Sequence, residues 1–555
     1  MSDSIAEKQE LSDSGMTHRQ IMVVFSGLML GLMLAALDQT IVSTALLTIV
    51  RDLNPVNGTS QMPWVVTAYL LSSTAVTPIY GKLADLYGPK KIYMFAIALF
   101  LIGSALCGMS QNMGELIGFR ALQGLGGGGL MALTFTIIGS VVSPRERGKY
   151  QGYFGGVFML AMVIGPLIGG FFTDQGKLFG ISGWRYIFYV NLPIGLAALV
   201  VISIVLHVKN DNRTHKIDYA GAALVVAGAS ALLLAAQLGS NGQYAWGSPV
   251  IISLFAVGAA LVLAFVGWEF KLASEPLLPM PLFRNSVFSV SNSMAFVVGL
   301  TMMGSLIYLS YYLQLVVGYS PTMAGLAILP MMAGIMPASI IAGKLISKIG
   351  KYRPFPIAGT ALSVVGMFLL SRITLQTGAV ERSVYMFILG VGLGLVMPVL
   401  TLAVQNALPL KDIGTGTSAN LFFRNMGSSF GTAIFGAILT NRITHYMAEA
   451  NHGRPAAAGA SASSLTNLTK AQLAQANVKT PGIEYTVLHS FVEAISVVFA
   501  TAAVIMGVAF VLSLFLKQVS LRSAGSAPGG NAQGEGPGSE NEDELAEFAG
   551  APAMH

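Results

Sequence analysis

Apolar residues run in blocks of about twenty or more along this chain, broken by short segments rich in Gly, Pro, Lys and Arg. About 20 helical residues, rising 1.5 Å each, cross the roughly 30 Å of bilayer hydrocarbon. By that measure fourteen helices are predicted, over 21–48, 63–82, 91–110, 114–142, 149–173, 185–207, 219–239, 249–270, 286–317, 322–347, 355–375, 383–409, 414–440 and 489–516. The first run exceeds the roughly 7–15 residues of a signal-peptide core and lacks a convincing small-residue cleavage site, so it is read as a retained span. The pattern describes an all-α polytopic membrane protein.

Composition agrees: 54% of the 555 residues are hydrophobic and 10% charged, against about 25% charged in soluble domains. The net charge of +6 is a matter of distribution. With the N-terminus cytoplasmic, twenty of the 31 Lys and Arg residues fall on the inner side and nine on the outer, while Arg120 and Arg424 lie inside spans. That is the positive-inside bias. It places both termini in the cytoplasm, the protein in the plasma (inner) membrane, and removes nucleic acid as a partner. Segment 441–488 is expected outside, and the Gly-, Ser-, Pro- and acid-rich stretch 517–555 is expected to be a disordered cytoplasmic tail. The single Cys107 excludes an intrachain disulfide framework, and the seven histidines lie in loops or at span ends. No metal or cofactor is expected. A P-loop and a nucleophile–base pair are missing as well, so the chain does not read as an enzyme.

The turn after the second span reads GKLADLYGPKK (81–91), and the turn after the tenth reads GKLISKIGKYR (343–353). Gly81 aligns with Gly343, Gly88 with Gly350 and Lys91 with Arg353, which marks a duplicated transporter. Two six-helix units, 21–207 and 286–516, then flank two inserted helices with linkers over 208–285, after a cytoplasmic N-terminal segment 1–20. GKLADLYGPKK resembles the cytoplasmic loop signature of the major facilitator superfamily. LIGFRALQGLGGG (116–128) is similar to its Arg-containing motif, and IGPLIGG (164–170) to the antiporter motif of its exporters. LDQTIVSTAL (37–46) and WRYIFYVNLPIG (184–195) resemble signatures of the fourteen-span drug:proton antiporters, the EmrB/QacA subfamily. The resemblance implies a major facilitator fold with fourteen transmembrane helices in a 6+2+6 order. Tyr87 and Pro89 stand where that family often has basic residues.

The resemblance further implies that Gly81, Asp85, Gly88, Lys90 and Lys91 form a latch holding the outward-open state, Asp85 being suited to face a helix N-terminus. It also implies that the segment carrying Gly165, Pro166, Gly169 and Gly170, together with Gly155 and Gly156, packs where the halves meet. The run Gly126–Gly129 reads as close helix packing, since it lies in a span and lacks the Lys-Ser/Thr of a phosphate loop.

Asp38 stands out from the residues themselves, because a charge at mid-membrane costs about 2.5–3.5 kcal/mol on insertion scales. It lies roughly 15 Å from the outer end of its span and Arg120 roughly 9 Å, so the two fall within about a turn of each other in depth. Burial and a neighbouring cation push a carboxylate in opposite directions, which suits it to pick up and release a proton. Candidates for the substrate cavity are Gln39, Tyr69, Gln123, Phe158, Tyr311, Asn420 and Arg424, the aromatics through stacking and cation–π contact.

The expected function is proton-driven efflux of amphiphilic or cationic drugs by alternating access. The competing reading is export or flipping of one physiological amphiphile, such as a lipid or secondary metabolite. Expected partners are small amphiphilic molecules, protons and the lipid bilayer; engagement of a periplasmic adaptor is left open.

Overall fold

The computed structural model describes residues 18–54, 58–142, 146–147, 150, 153–206, 218–240, 243–273, 275–450 and 483–519. The expected tail beyond 519 and residues 451–482 of the outer loop lie outside the described residues. Fourteen main helices are labelled here in chain order. They are α1 (His18–Leu53), α2 (Gly58–Tyr87), α3 (Pro89–Met109), α4 (Met113–Val141), α5 (Phe154–Asp174), α6 (Asn191–Val205) and α7 (Tyr219–Ser240). There follow α8 (Pro249–Lys271), α9 (Ser286–Leu315), α10 (Leu329–Ile349), α11 (Pro354–Leu370), α12 (Ala379–Ala407), α13 (Ile413–Ala450) and α14 (Ile483–Leu514). Short helices Tyr186–Tyr189 and Pro321–Ala327 lead into α6 and α10.

Every predicted span falls on one of these helices. Among the described residues, eleven segments are long and apolar enough to cross a membrane. α11 is shorter at 17 residues, and α2 and α13 are diluted by polar and glycine residues. The main departures are at the ends. α1 runs to Leu53 and α13 to Ala450, well past the predicted 48 and 440. The charged Arg51, Asp52 and Arg442 end an apolar run, but they do not interrupt backbone hydrogen bonding. Two predicted spans contain a break, near Val190 and at Ile328. Between α5 and α6, an antiparallel pair of two-residue strands, Lys177–Leu178 and Ile181–Ser182, adds a ribbon the apolar pattern does not signal. Its turn carries Phe179 and Gly180 at φ 49° and 80°.

The two aligned glycines of the repeat explain themselves. Gly88 and Gly350 both have positive φ, 87° and 75°, where any side chain is strained.

Two buried clusters draw on α1–α6, and a larger one is built mainly from α9 to α14. The inserted α7 and α8 pair with each other, and α7 lies along both α2 and α13. Phe265, Phe422 and Met426 fill that junction, and Phe255 of α8 stacks on Phe430 of α13 with ring centroids 6.5 Å apart.

α4 sits between α2 and α3 because its glycines leave room. A Cβ at Gly126 would lie 2.5 Å from the Phe100 nitrogen, and one at Gly128 would lie 2.3 Å from the Ser73 oxygen. Gly128→Val is therefore expected to cost at least about 1–3 kcal/mol through overpacking. Gly170→Ala, with nothing within 4 Å of the added carbon, should be harmless. Thermal unfolding of the purified proteins checks this, and equal stability of the two variants would refute the packing account.

Candidate functional site

Asp38 on α1 and Arg120 on α4 are essentially inaccessible, 0% and 1% exposed. They meet directly, Arg120 Nη1 lying 2.5 Å from Asp38 Oδ2. Gln123, one helical turn beyond Arg120, donates its Nε2 to Asp38 Oδ1 at 2.8 Å and accepts from Arg120 Nη1 at 2.8 Å. Arg120 Nε donates to the Val65 carbonyl at 3.2 Å. The guanidinium carbon sits 4.4 Å above the Tyr69 ring. Four helices of the first unit thus converge here once Asn191 of α6 is included, with its Nδ2 3.1 Å from Asp38 Oδ1. A fifth enters through Ser104 of α3, whose Oγ accepts from the same Nδ2 at 3.0 Å.

Sequence reasoning missed Asn191 and Ser104. An amide inside an apolar span was the available signal, but Asn191 was read only as part of a signature. The same signature ties down the ends of α1 and α3. Trp184 donates its indole N–H to Asp52 Oδ2 at 2.6 Å, and Arg185 Nη1 donates to the Gly108 and Ser110 carbonyls at 2.7 Å each. The Trp184 hydrogen bond, assisted by Ser182, Arg185 and Lys177, holds the Asp52 carboxyl below its usual range.

The turn after α2 reaches across to α13. Asp85 Oδ1 accepts from Gly414 N at 3.0 Å, and Oδ2 from Thr415 N at 2.7 Å and Thr415 Oγ1 at 2.9 Å. A carboxyl group therefore sits on a helix N-terminus, where orphan N–H groups and the helix dipole favour its oxygens. Gly81 permits the approach: a Cβ there would stand 2.5 Å from the Gly414 oxygen. Lys90 points elsewhere, donating to the Ser203 carbonyl at 2.8 Å, and Lys91 is exposed. A further bridge between the units lies deeper, from Gln405 Nε2 of α12 to the Phe135 carbonyl of α4 at 3.0 Å.

The antiporter motif divides its contacts. Gly165 is pressed against Thr40 of α1, within its own unit, at 2.1 Å from an added Cβ to Oγ1. Pro166 lies inside α5 and Gly169 is buried, while Gly170 faces open space. Contact with the second unit is made nearer the helix start, where Gly156 lies against Met336. Of the segment expected at the seam, Gly156 meets the second unit, whereas Gly165 packs within its own unit and Gly170 faces open space.

Of the cavity candidates, Tyr69 and Gln123 belong to the ion-pair site, with half-buried Gln39 beside Tyr69. Phe158 packs in the first unit, and Tyr311 is 40% exposed against Tyr308. Asn420 is locked in the second unit, donating to Asn292 Oδ1 at 3.1 Å and accepting from Thr401 at 3.3 Å. Arg424, one turn along, is half-buried and forms no ion pair among the described residues.

An all-helical bundle with repeated turn motifs and a charge pair sealed at membrane depth defines a secondary transporter. The sequence profile of the Major Facilitator Superfamily matches residues 28–432, and the chain belongs to that superfamily. It is 36% identical to the multidrug transporter protein MdtP of Bacillus subtilis over 530 residues, covering 92% of this chain and 96% of that protein. It is 39% identical to multidrug resistance protein 3 of the same organism over 439 residues, 79% and 83% of the two chains. Both names agree with the drug:proton antiporter branch the motifs resemble. The structure of the human organic anion transporter MFSD10 superposes with a TM-score of 0.58 at 13% identity, over 89% of this chain and 99% of that one. That likeness concerns the fold alone.

Breaking the pair from one side should be worse than removing it. Arg120→Leu leaves a buried carboxylate without its cation and is expected to cost about 3–5 kcal/mol, while Asp38→Leu/Arg120→Leu recovers most of that loss. Unfolding in detergent measures both, and a double variant as unstable as the single would contradict the electrostatic account.

Proposed function

We propose that the protein is a drug-efflux transporter that exchanges protons for amphiphilic compounds across the plasma (inner) membrane, both termini cytoplasmic, by alternating access between its two six-helix units. The carrying observation is the sealed Asp38–Arg120 pair. An ionisable group at membrane depth marks an ion pathway by default. This one is covered by protein in the form described here, so a proton exchanges only when the site opens. Cargo arriving from the inside competes for Asp38 and releases the proton, and the return stroke reprotonates it from the outside. The named relatives support efflux, and the motifs support coupling.

One carboxylate suggests one proton per cycle. A membrane potential of about 100 mV supplies about 2.3 kcal/mol per charge for neutral cargo, enough for a gradient of roughly fiftyfold at about 1.4 kcal/mol per tenfold. For a monovalent cation exchanged one for one, the voltage cancels and only the pH gradient remains. Arg424 and Tyr311 supply partly open surface for cargo.

Asp85 serves as the latch of the closed cytoplasmic end. It lies beyond the predicted span 63–82, and burial pushes its carboxyl up to about 7 against the pull of the Thr415 and Gly414 donors. Raised from 3.8, the group binds more protons in the closed form than in an open, hydrated one. Its contribution to closure is complete below about pH 4 and is lost as pH rises through about 7.

Two outcomes are expected. Proton-gradient-driven ethidium efflux from cells or inverted vesicles is abolished in Asp38→Asn, and undiminished coupled transport by a normally produced variant would overturn the proposal. In a Cys107→Ser background, Ser418→Cys, at a buried position of α13 packed against Gly81, reacts faster with an impermeant maleimide from the cytoplasmic side as pH rises from 6 to 8. Asp85→Asn flattens that dependence, whereas Asp85→Ala, which strands two backbone donors, raises the rate roughly tenfold. A pH-independent rate in the parent protein would remove Asp85 from the latch.

A further inference from the structure

The signature WRYIFYVN can be followed as a strap from the outer surface to the ion pair. Trp184 is bound to Asp52 at the end of α1 and Arg185 to the end of α3. The backbone carbonyl of Phe188 accepts from Ser104 Oγ at 2.8 Å, and Asn191 then reaches Asp38. Both Asn191 N–H groups are used, one on Asp38 and one on Ser104, while its Oδ1 is buried without a hydrogen-bond partner. A buried unpaired amide oxygen calls for an explanation. Here it sits on the same planar group that holds the carboxylate.

We propose that Asn191 is the positioning residue of the proton site and serves both protonation states of Asp38. This rests on the reading of Asp38 as the proton carrier. With Asp38 ionised, the amide N–H holds Oδ1. When a proton arrives, a carboxylic O–H forms on Asp38 that needs an acceptor, and Arg120 has none to offer. Turning the amide over breaks the Nδ2 contact and brings the free Oδ1 to that hydroxyl. The proton stays on Asp38, and the Nδ2 hydrogen bond to Ser104 Oγ is lost in the same turn. The other groups facing Asp38 are poorly placed for this exchange. Arg120 and Gln123 of α4 bind each other, Tyr69 of α2 lies under the guanidinium, and Cys107 of α3 donates its thiol to Gln123 Oε1 at 3.6 Å. Asn191 alone among them pairs a bond to Asp38 with a spare acceptor.

The test compares wild type, Asp38→Asn, Asn191→Leu, Asn191→Ser and Ser104→Ala in proteoliposomes, reading ethidium-driven proton movement against pH. Asn191→Leu removes a charge-assisted donor from the ionised form and a weaker neutral acceptor from the protonated one, so its profile should move about one unit toward alkaline pH. Asn191→Ser, whose hydroxyl both donates and accepts, should recover most of the wild-type midpoint. Ser104→Ala, which removes a bond made only before the turn, should move the midpoint a smaller distance the same way. If Asn191→Leu is not produced in folded form, the serine variant carries the test: a midpoint between wild type and a one-unit shift supports the proposal, and a loss of rate with the wild-type midpoint refutes it. An Asn191→Leu protein with an unmoved midpoint also refutes it, provided Asp38→Asn is uncoupled. Coupled transport by Asp38→Asn would instead refute the underlying proton-site reading.

Discussion

A charge placed in hydrocarbon must be answered by other charges and dipoles close at hand, and that demand organises the first unit of this transporter. Asp38 takes one guanidinium and two amide donors. Arg120 in turn takes a backbone carbonyl, an amide oxygen and an aromatic face. These groups come from separate helices, so α1, α2, α3, α4 and α6 all have to approach one point. The glycines of α4 make that approach sterically possible. Gly103 of α3 does the same from the other side, with the Gln123 backbone 2.6 Å from an added Cβ. Packing and electrostatics here are one problem solved once.

The end of the bundle that carries Asp85 uses the same chemistry at lower stakes. Asp85 meets backbone donors at the start of α13 rather than a cation, so its attachment is local and releasable. Release there does not strand a charge in lipid, because the turn borders water. A strong pair buried within one unit and a weaker contact between units is the arrangement a rocking machine needs. The first keeps the unit rigid, and the second sets how easily the units part.

Much of this was legible beforehand. Span positions followed from hydropathy, the juxtaposition of Asp38 and Arg120 from their depths, and the aligned Gly88 and Gly350 from the repeat. Helix ends were not legible, because the charges at Arg51 and Arg442 change solvent preference without breaking a helix. Lys90 was assigned to the latch from its place in a motif, yet its long side chain finds the Ser203 carbonyl. Asn191 was missed because an amide carries no charge and does not stand out in a hydropathy profile. Its importance shows only when α1 and α6 are seen side by side. The ribbon between α5 and α6 is four residues of strand, too short for any alternation to register.

The inserted hairpin makes the two lateral seams unequal. Along α2 and α13 the boundary between units is lined by α7, whereas along α5 and α10 the helix packed beside it among the described residues is the short Pro321–Ala327. One flank is thickened by a whole hairpin and the other by two turns of helix. Twofold internal repetition thus carries a lopsided outline, and two added helices suffice to produce it.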